Sequence, residues 1–358
     1  MARSRVPVDP IDPIDPLDPR APGAPDASMR DPRRRAALGL GVGLSLAGVG
    51  GVTAAAPVAP AAVGAVGAVA APAAAAAAPA TAALWSPVRL PAARQIDLHD
   101  AATGRPYRLF LSQPEGPPPP GGHPVLYVLD GNAAFPVAAF LARGFASRRE
   151  RTGQPPVQVV GIGYPGEADF DVQARLRDYT PSPGALPGGA REGGEADRFL
   201  DFIERQVQPL VAREQAVDVG RQALFGHSLG GLLVLHALAT RPQAFSTWLA
   251  SSPSLWWDGY RLLRQPLPAA PAAADRSRLQ ISVGALEDAP PTGPLTPELR
   301  ALLDQRKMVE PARELVRRLR AEPGWADRVS FHELADEDHG PAWLPALSRG
   351  FRRLLAEA

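Results

Sequence analysis

The run Leu224-Phe225-Gly226-His227-Ser228-Leu229-Gly230-Gly231-Leu232 sets a serine between glycines, with an apolar stretch before it and an apolar helical pattern after it. This is the pattern of a nucleophile elbow, a sharp strand-to-helix turn that thrusts the serine hydroxyl out of the fold. Such a turn needs a strained backbone at the serine. Glycines two residues before and after it are expected to let the neighbouring backbones pass without collision. Ser228 is therefore the candidate nucleophile, and His227 inside the turn is expected to pack beneath it.

A serine hydroxyl is a weak nucleophile, so it needs a base, and the base needs an acid to orient it. Where an elbow supplies the serine, the acid and then the histidine follow it along the chain, each after a strand. Three histidines lie downstream: His236, His332 and His339. His236 falls two turns into the helix after the elbow, and His332 falls inside an expected strand. His339 stands in the polar loop Asp336-Glu337-Asp338-His339-Gly340 and is the candidate base; its acidic neighbours read as solvated. The acid is expected after the preceding strand, where Glu287 and Asp288 are adjacent. Both cannot face one imidazole. Glu287 is favoured, with Asp288 and an acid-free Ser-His pair as the alternatives.

Negative charge on a carbonyl oxygen calls for preorganised donors. The Leu229 N–H, at the start of the helix after the elbow, is one expected donor. The Asn132 N–H, in the loop after the strand that ends near Asp130, is the expected second. Trp256 and Trp257 follow the strand after the elbow, and at least one of them is expected in a pocket, where it could stack on an aromatic group. Arg177, with Arg175 beside it, is a candidate contact for an anionic ligand. Asp178 and Tyr179 are expected to organise that loop.

These residues must be held by an alternation of strands and helices. Arg94–Leu98 and Tyr107–Leu111 read as an opening hairpin. The continuous apolar runs Pro124–Asp130 and Val157–Tyr164 read as buried parallel strands. Further strands are expected at Gln222–Phe225, Thr247–Ala250, Leu279–Val283 and Val329–Glu333. Helical patterns lie at Ala133–Arg149, Glu195–Glu214, Gly230–Arg241, Val309–Ala321 and Leu344–Ala356. Thr180–Gly194, rich in Gly and Pro, reads as a surface loop. The expectation is one α/β domain over 84–358, a doubly wound, mostly parallel sheet of about eight strands with helices on both faces.

The 358 residues are 45% hydrophobic and carry a net charge of +1, and the acidic and basic residues balance from Leu84 onward. This argues against a nucleic-acid or anionic-membrane partner. There is no cysteine, which excludes disulfides, thiolate metal sites and a lipid-modified cysteine anchor. No His/Asp/Glu spacing suggests a metal, and no cofactor is called for.

The first 83 residues have a different character. Residues 1–28 are a Pro/Asp-rich segment with a repeated Asp-Pro string, and Met29 is the expected start. Arg33-Arg34-Arg35 precedes an uncharged Leu/Val/Ala/Gly stretch and then small residues at Ala54-Ala55-Ala56. That layout is expected of an export signal of twin-arginine character over 29–56, with an Ala/Pro-rich linker over 57–83. A free periplasmic or secreted protein follows, without a stable membrane anchor.

Several segments beyond the elbow occur together and in order: Leu126-Tyr-Val-Leu-Asp-Gly-Asn132, Gly161-Ile-Gly-Tyr-Pro165, Arg177-Asp-Tyr-Thr-Pro181, Phe225 to Leu232, Ser252-Pro-Ser-Leu-Trp-Trp257 and Glu337-Asp-His-Gly340. Over about Gln95 to Leu355 the chain resembles the Putative esterase family of α/β-hydrolases, in particular its esterase D-like branch that opens the trilactone of catecholate siderophores. The resemblance implies Ser228 as nucleophile, His339 as base and a small-molecule ester as substrate. It also implies the breadth of that family, which includes feruloyl and acetyl esterases, thioesterases and acyltransferases. Acyl transfer and a non-catalytic binding role on the same fold stay open as alternatives.

Overall fold

The structure is a computed structural model that describes residues 86–185, 191–269, 271–272, 277–290 and 295–356. The segments read as a Pro/Asp-rich stretch, export signal and linker (1–28, 29–56 and 57–83) lie outside the described residues.

Strands β1 (Ala93–His99), β2 (Pro106–Ser112), β3 (His123–Leu129), β4 (Gln158–Gly163), β7 (Val217–His227), β8 (Thr247–Ser251), β9 (Arg278–Gly284) and β10 (Val329–Leu334) form one sheet, in the order β1-β2-β4-β3-β7-β8-β9-β10. The β1–β2 hairpin and the β2–β4 pair are antiparallel, and every other pair is parallel. β5 (Pro183–Ala185) and β6 (Arg191–Gly193) form a separate small hairpin. The architecture is the expected α/β-hydrolase sheet of eight strands. Thr180–Gly194 is not the simple surface loop expected, because Thr180 is buried and the hairpin lies within the segment.

Alternation along the strands explains why both faces are covered. Val125, Tyr127 and Leu129 of β3 enter one apolar cluster, whereas Leu126 and Val128 enter the other. In β8, Trp248 and Ala250 join the first cluster and Leu249 joins the second. Side chains that alternate with period two make both faces of a parallel sheet apolar, and helices must cover each. The second face takes α1 (Gly131–Ala146) and α10 (Trp343–Leu355). Residues of α3 (Val172–Tyr179), α4 (Ala196–Phe202), α5 (Gln208–Glu214), α6 (Leu229–Thr240) and α9 (Val309–Ala321) join the first cluster. The short helices α2 (Arg149–Thr152), α7 (Trp257–Arg264) and α8 (Pro297–Gln305) complete the set. The single helix expected over Glu195–Glu214 is interrupted by a π-turn at Ile203–Val207 between α4 and α5. Pro209 lacks the N–H that a regular ladder would use there, which accounts for the change of register.

None of these helices is long and apolar enough to cross a membrane.

Candidate active site

The chain leaves β3 to build β4 on one side and β7 on the other, so β3/β7 is the switch point at which the strand order reverses. Crevices outside the carboxyl ends of strands open at such points. The turns after β3 and β7 are therefore neighbours, and each feeds a helix: α1 begins at Gly131 and α6 at Leu229. Both preceding residues have positive φ, Asp130 at 53° and Ser228 at 59°. A non-glycine residue in this region is strained and persists only where its surroundings hold it.

The elbow is held by close packing. A Cβ added at Gly226 would lie 2.3 Å from the carbonyl oxygen of Gly230, so this glycine is demanded by contact. Gly230 departs from expectation. An added Cβ there would meet only ordinary contacts, the nearest at 3.4 Å, because what matters at Gly230 is its backbone oxygen. The second crowded glycine is Gly231, whose Cβ would lie 2.8 Å from the Ser251 oxygen.

Four adjacent strands, β7 to β10, deliver the reactive groups. Ser228 Oγ lies 3.0 Å from His339 Nε2, and His339 Nδ1 lies 2.7 Å from Glu287 Oε2. The Glu287 side chain is fully buried, and its other oxygen accepts from the Ser252 hydroxyl and the Gly284 N–H, each at 2.5 Å. The His339 side chain is 44% exposed, leaving it open to a substrate or a water. Asp288, the alternative acid, points elsewhere: it accepts from Met308 N–H at 2.8 Å and Val309 N–H at 3.1 Å, capping α9. His227 lies beneath the site, its Nδ1 3.1 Å from Ser251 Oγ, and burial holds its imidazole well below the ordinary value. His236 bonds to Asp197 at 3.0 Å, away from the elbow.

Leu229 and Asn132 are the first residue of α6 and the second of α1, so neither N–H has a partner within its own helix. The Asn132 side chain is committed to Tyr164: Oδ1 accepts from its N–H at 3.0 Å and Nδ2 donates to its carbonyl at 3.1 Å. That pair ties the start of α1 to the end of β4. The Asp130 carboxylate is fixed by Arg175 at 2.8 Å, and the Tyr179 hydroxyl accepts from the Asp130 N–H.

Two of the expected substrate contacts are engaged within the fold. Trp257 is 2% exposed and donates to the Ser182 carbonyl at 2.8 Å, with Gly184 packed against its ring. It is a core residue supporting the β5–β6 hairpin. Arg177 grips the buried Asp178 through two bonds of 2.7 and 2.8 Å, and the hydroxyls of Tyr107 and Tyr164 donate to the same carboxylate. Its charge is already neutralised by the fold. Trp256 is only partly buried and carries the Arg306 guanidinium over its ring.

The residues that sequence reasoning left without a role are Ser252, Ser254 and Arg306. Ser254 Oγ lies 3.2 Å from Ser228 Oγ, and the Ser254 N–H donates to the Ser228 carbonyl at 3.1 Å. Ser252, at φ 42°, turns the chain so that its hydroxyl reaches Glu287. The Ser-Pro-Ser motif was the available signal for the first two. Arg306 had none, since it stands among many arginines far along the chain. Among the described residues no group of three or more His, Asp or Glu side chains is placed to hold a metal.

Comparison with known proteins identifies the family. The family model described as Putative esterase matches residues 100–339. The ferri-bacillibactin esterase BesA of Bacillus subtilis is 34% identical over 261 residues, covering 70% of this chain and 85% of the relative. The siderophore triacetylfusarinine C esterase of Aspergillus fumigatus is 39% identical over 216 residues, 58% of this chain and 72% of the relative. Among solved structures, the BES protein from Bacillus cereus superposes with a TM-score of 0.64 at 31% identity, covering 77% of this chain and 100% of that one. With two thirds of its length inside the family model and its strand ends bearing a serine, a histidine and a glutamate in contact, the chain belongs to the Putative esterase family of α/β-hydrolases.

Proposed function

We propose that this protein is a serine esterase that opens the ester bonds of a siderophore through an acyl-enzyme. The observation that carries the mechanism is the unbroken line from Ser228 Oγ through the His339 ring to Glu287, at 3.0 and 2.7 Å. In this reading His339 Nε2 takes the Ser228 proton as Oγ attacks the ester carbonyl. Glu287 fixes the ring with Nδ1 protonated and stabilises the imidazolium. The oxyanion is received by the N–H groups of Leu229 and Asn132, at the ends of neighbouring strands and with helix dipoles behind them. His339 then returns the proton to the leaving alcohol. A water, deprotonated by the same ring, releases the acid and regenerates Ser228. The siderophore substrate is supported by the activities named for the relatives. Export to the periplasm or beyond belongs to the same reading and is supported by the arginine run and apolar stretch after Met29.

The test is a fluorophosphonate probe together with a hydrolysis panel of short p-nitrophenyl esters, a feruloyl ester and ferric and iron-free trilactone siderophores. Labelling of Ser228, turnover of the siderophore, and loss of both in Ser228→Ala are expected. Absence of labelling would sink the mechanism. Turnover confined to the simple esters would sink the siderophore substrate. Transfer of the acyl group to an added alcohol in preference to water would replace hydrolysis with acyl transfer.

A further inference from the structure

Several partly buried arginines of this fold meet carboxylates. Arg175 meets Asp130 at 2.8 Å, Arg177 meets Asp178 at 2.7 Å, and Arg241 meets Asp197, Asp201 and Glu204. Arg306 differs. Its guanidinium carbon lies 4.2 Å from the centroid of the Trp256 ring, and it makes no ion pair with any described side chain. Burial, with no carboxylate to offset it, pushes its pKa below the ordinary arginine value. A guanidinium held over an indole ring can still donate from its edge to planar oxygen groups.

Two short chain connections link this pair to the segments that carry the reactive groups. Trp256 is two residues from Ser254, whose hydroxyl is 3.2 Å from Ser228 Oγ and whose N–H donates to the Ser228 carbonyl. Arg306 is two residues from Met308, whose N–H bonds to Asp288, and Asp288 adjoins Glu287, the partner of His339. The Tyr260 hydroxyl adds a third hold, donating to the Gln305 carbonyl at 2.8 Å. Trp256 is thus linked through Ser254 to the surroundings of the nucleophile, and Arg306 through Asp288 to the loop that carries the acid.

We infer that Arg306, presented on Trp256, is a specificity-determining subsite that receives an anionic oxygen group of the ester substrate. This rests on the serine-esterase reading and adds to it a charge preference. A substrate carboxylate or ionised phenol would accept from the free edge of the guanidinium while its body lies against the exposed part of Trp256. Neutral esters would gain nothing from Arg306.

Two matched pairs test the inference with the whole protein: methyl hydrogen succinate against methyl butyrate, with the charge on the acid, and 4-carboxyphenyl butyrate against phenyl butyrate, with the charge on the alcohol. The measured quantity is kcat/KM for the charged ester divided by that for its neutral partner. In Arg306→Gln this ratio is expected to fall about tenfold for at least one pair, as befits loss of a charge-assisted hydrogen bond. Arg306→Lys should recover part of it, because a charge without the planar fork remains. An Arg306→Gln ratio equal to wild type for both pairs would overturn the subsite while leaving the esterase intact. Absence of Ser228 labelling by the fluorophosphonate probe, with none of the four esters turned over, would remove the esterase reading and this inference together.

Discussion

The ring of His227 packs against that of His339, with centroids 4.7 Å apart and planes tilted by 39°. The inner imidazole is kept neutral by burial, with the neighbouring His339 and Arg175 acting in the same direction. A neutral His227 can support the base without competing with it for a proton.

That neutrality has a stability signature. His227, His236, His123 and His332 are all held below the ordinary value of 6.5, chiefly by burial. Each would bind more protons unfolded than folded once the pH drops below that value. Stability is then full above about pH 6.5 and declines as the pH falls through the acid side of it. Thermal denaturation between pH 8 and 5 is expected to show a falling Tm below about pH 6.5. A flat profile across that window would contradict the burial of these rings. His227→Asn should lessen the slope.

Glu287 and Asp288 should separate cleanly by substitution. Glu287→Gln keeps the shape but removes the charge that stabilises the imidazolium, and kcat should fall by about a thousandfold to ten-thousandfold. Asp288→Ala should cost about 1 kcal/mol of stability through the lost cap on α9, with far less effect on kcat. The reverse pattern would exchange their roles.

The elbow makes a steric prediction that runs against its motif. Gly226→Ala drives a methyl into the Gly230 carbonyl and should destabilise by about 2 kcal/mol or more. Gly230→Ala has room for the methyl and lies in a helix, so its Tm should match or exceed that of the parent, by up to about 1 kcal/mol in stability. Equal losses in the two variants would show that the turn is governed by chain flexibility and not by that contact.

Arg177→Gln should act on stability and leave KM alone. It strips the guanidinium from Asp178, whose side chain is 1% exposed, leaving two tyrosine hydroxyls and a more distant Arg105 to satisfy the carboxylate. A lowered Tm with KM near wild type is expected from denaturation and initial-rate measurements. A raised KM with an unchanged Tm would restore Arg177 as a ligand contact.

Most of the sheet could be read from the chain, because a strand buried on both faces is a continuous apolar run, as in β3 and β4. The elbow was legible because it sits where such a run ends, and His339 because it stands in a polar loop after the last strand. Direction within a loop was not. Glu287 and Asp288 are chemically alike neighbours, and only the distant Met308 N–H shows which one turns away. Trp257 and Arg177 looked available because their partners, Ser182 and an interior Asp178, are revealed as partners only once the chain is folded. α3 escaped notice because its eight residues include only three buried ones, too few to make an amphipathic stripe.

The elbow is held by close contacts within itself and with the end of β8: Gly226 against Gly230, Gly231 against Ser251, Ser228 beside Ser254. Trp256 and Arg306 belong to other segments of the chain, joined to this frame through Ser254 and Asp288. For a protein engineer the molecule divides accordingly. A library that holds the glycines constant and diversifies the Trp256 and Arg306 positions would explore new substrates on an unaltered reaction centre.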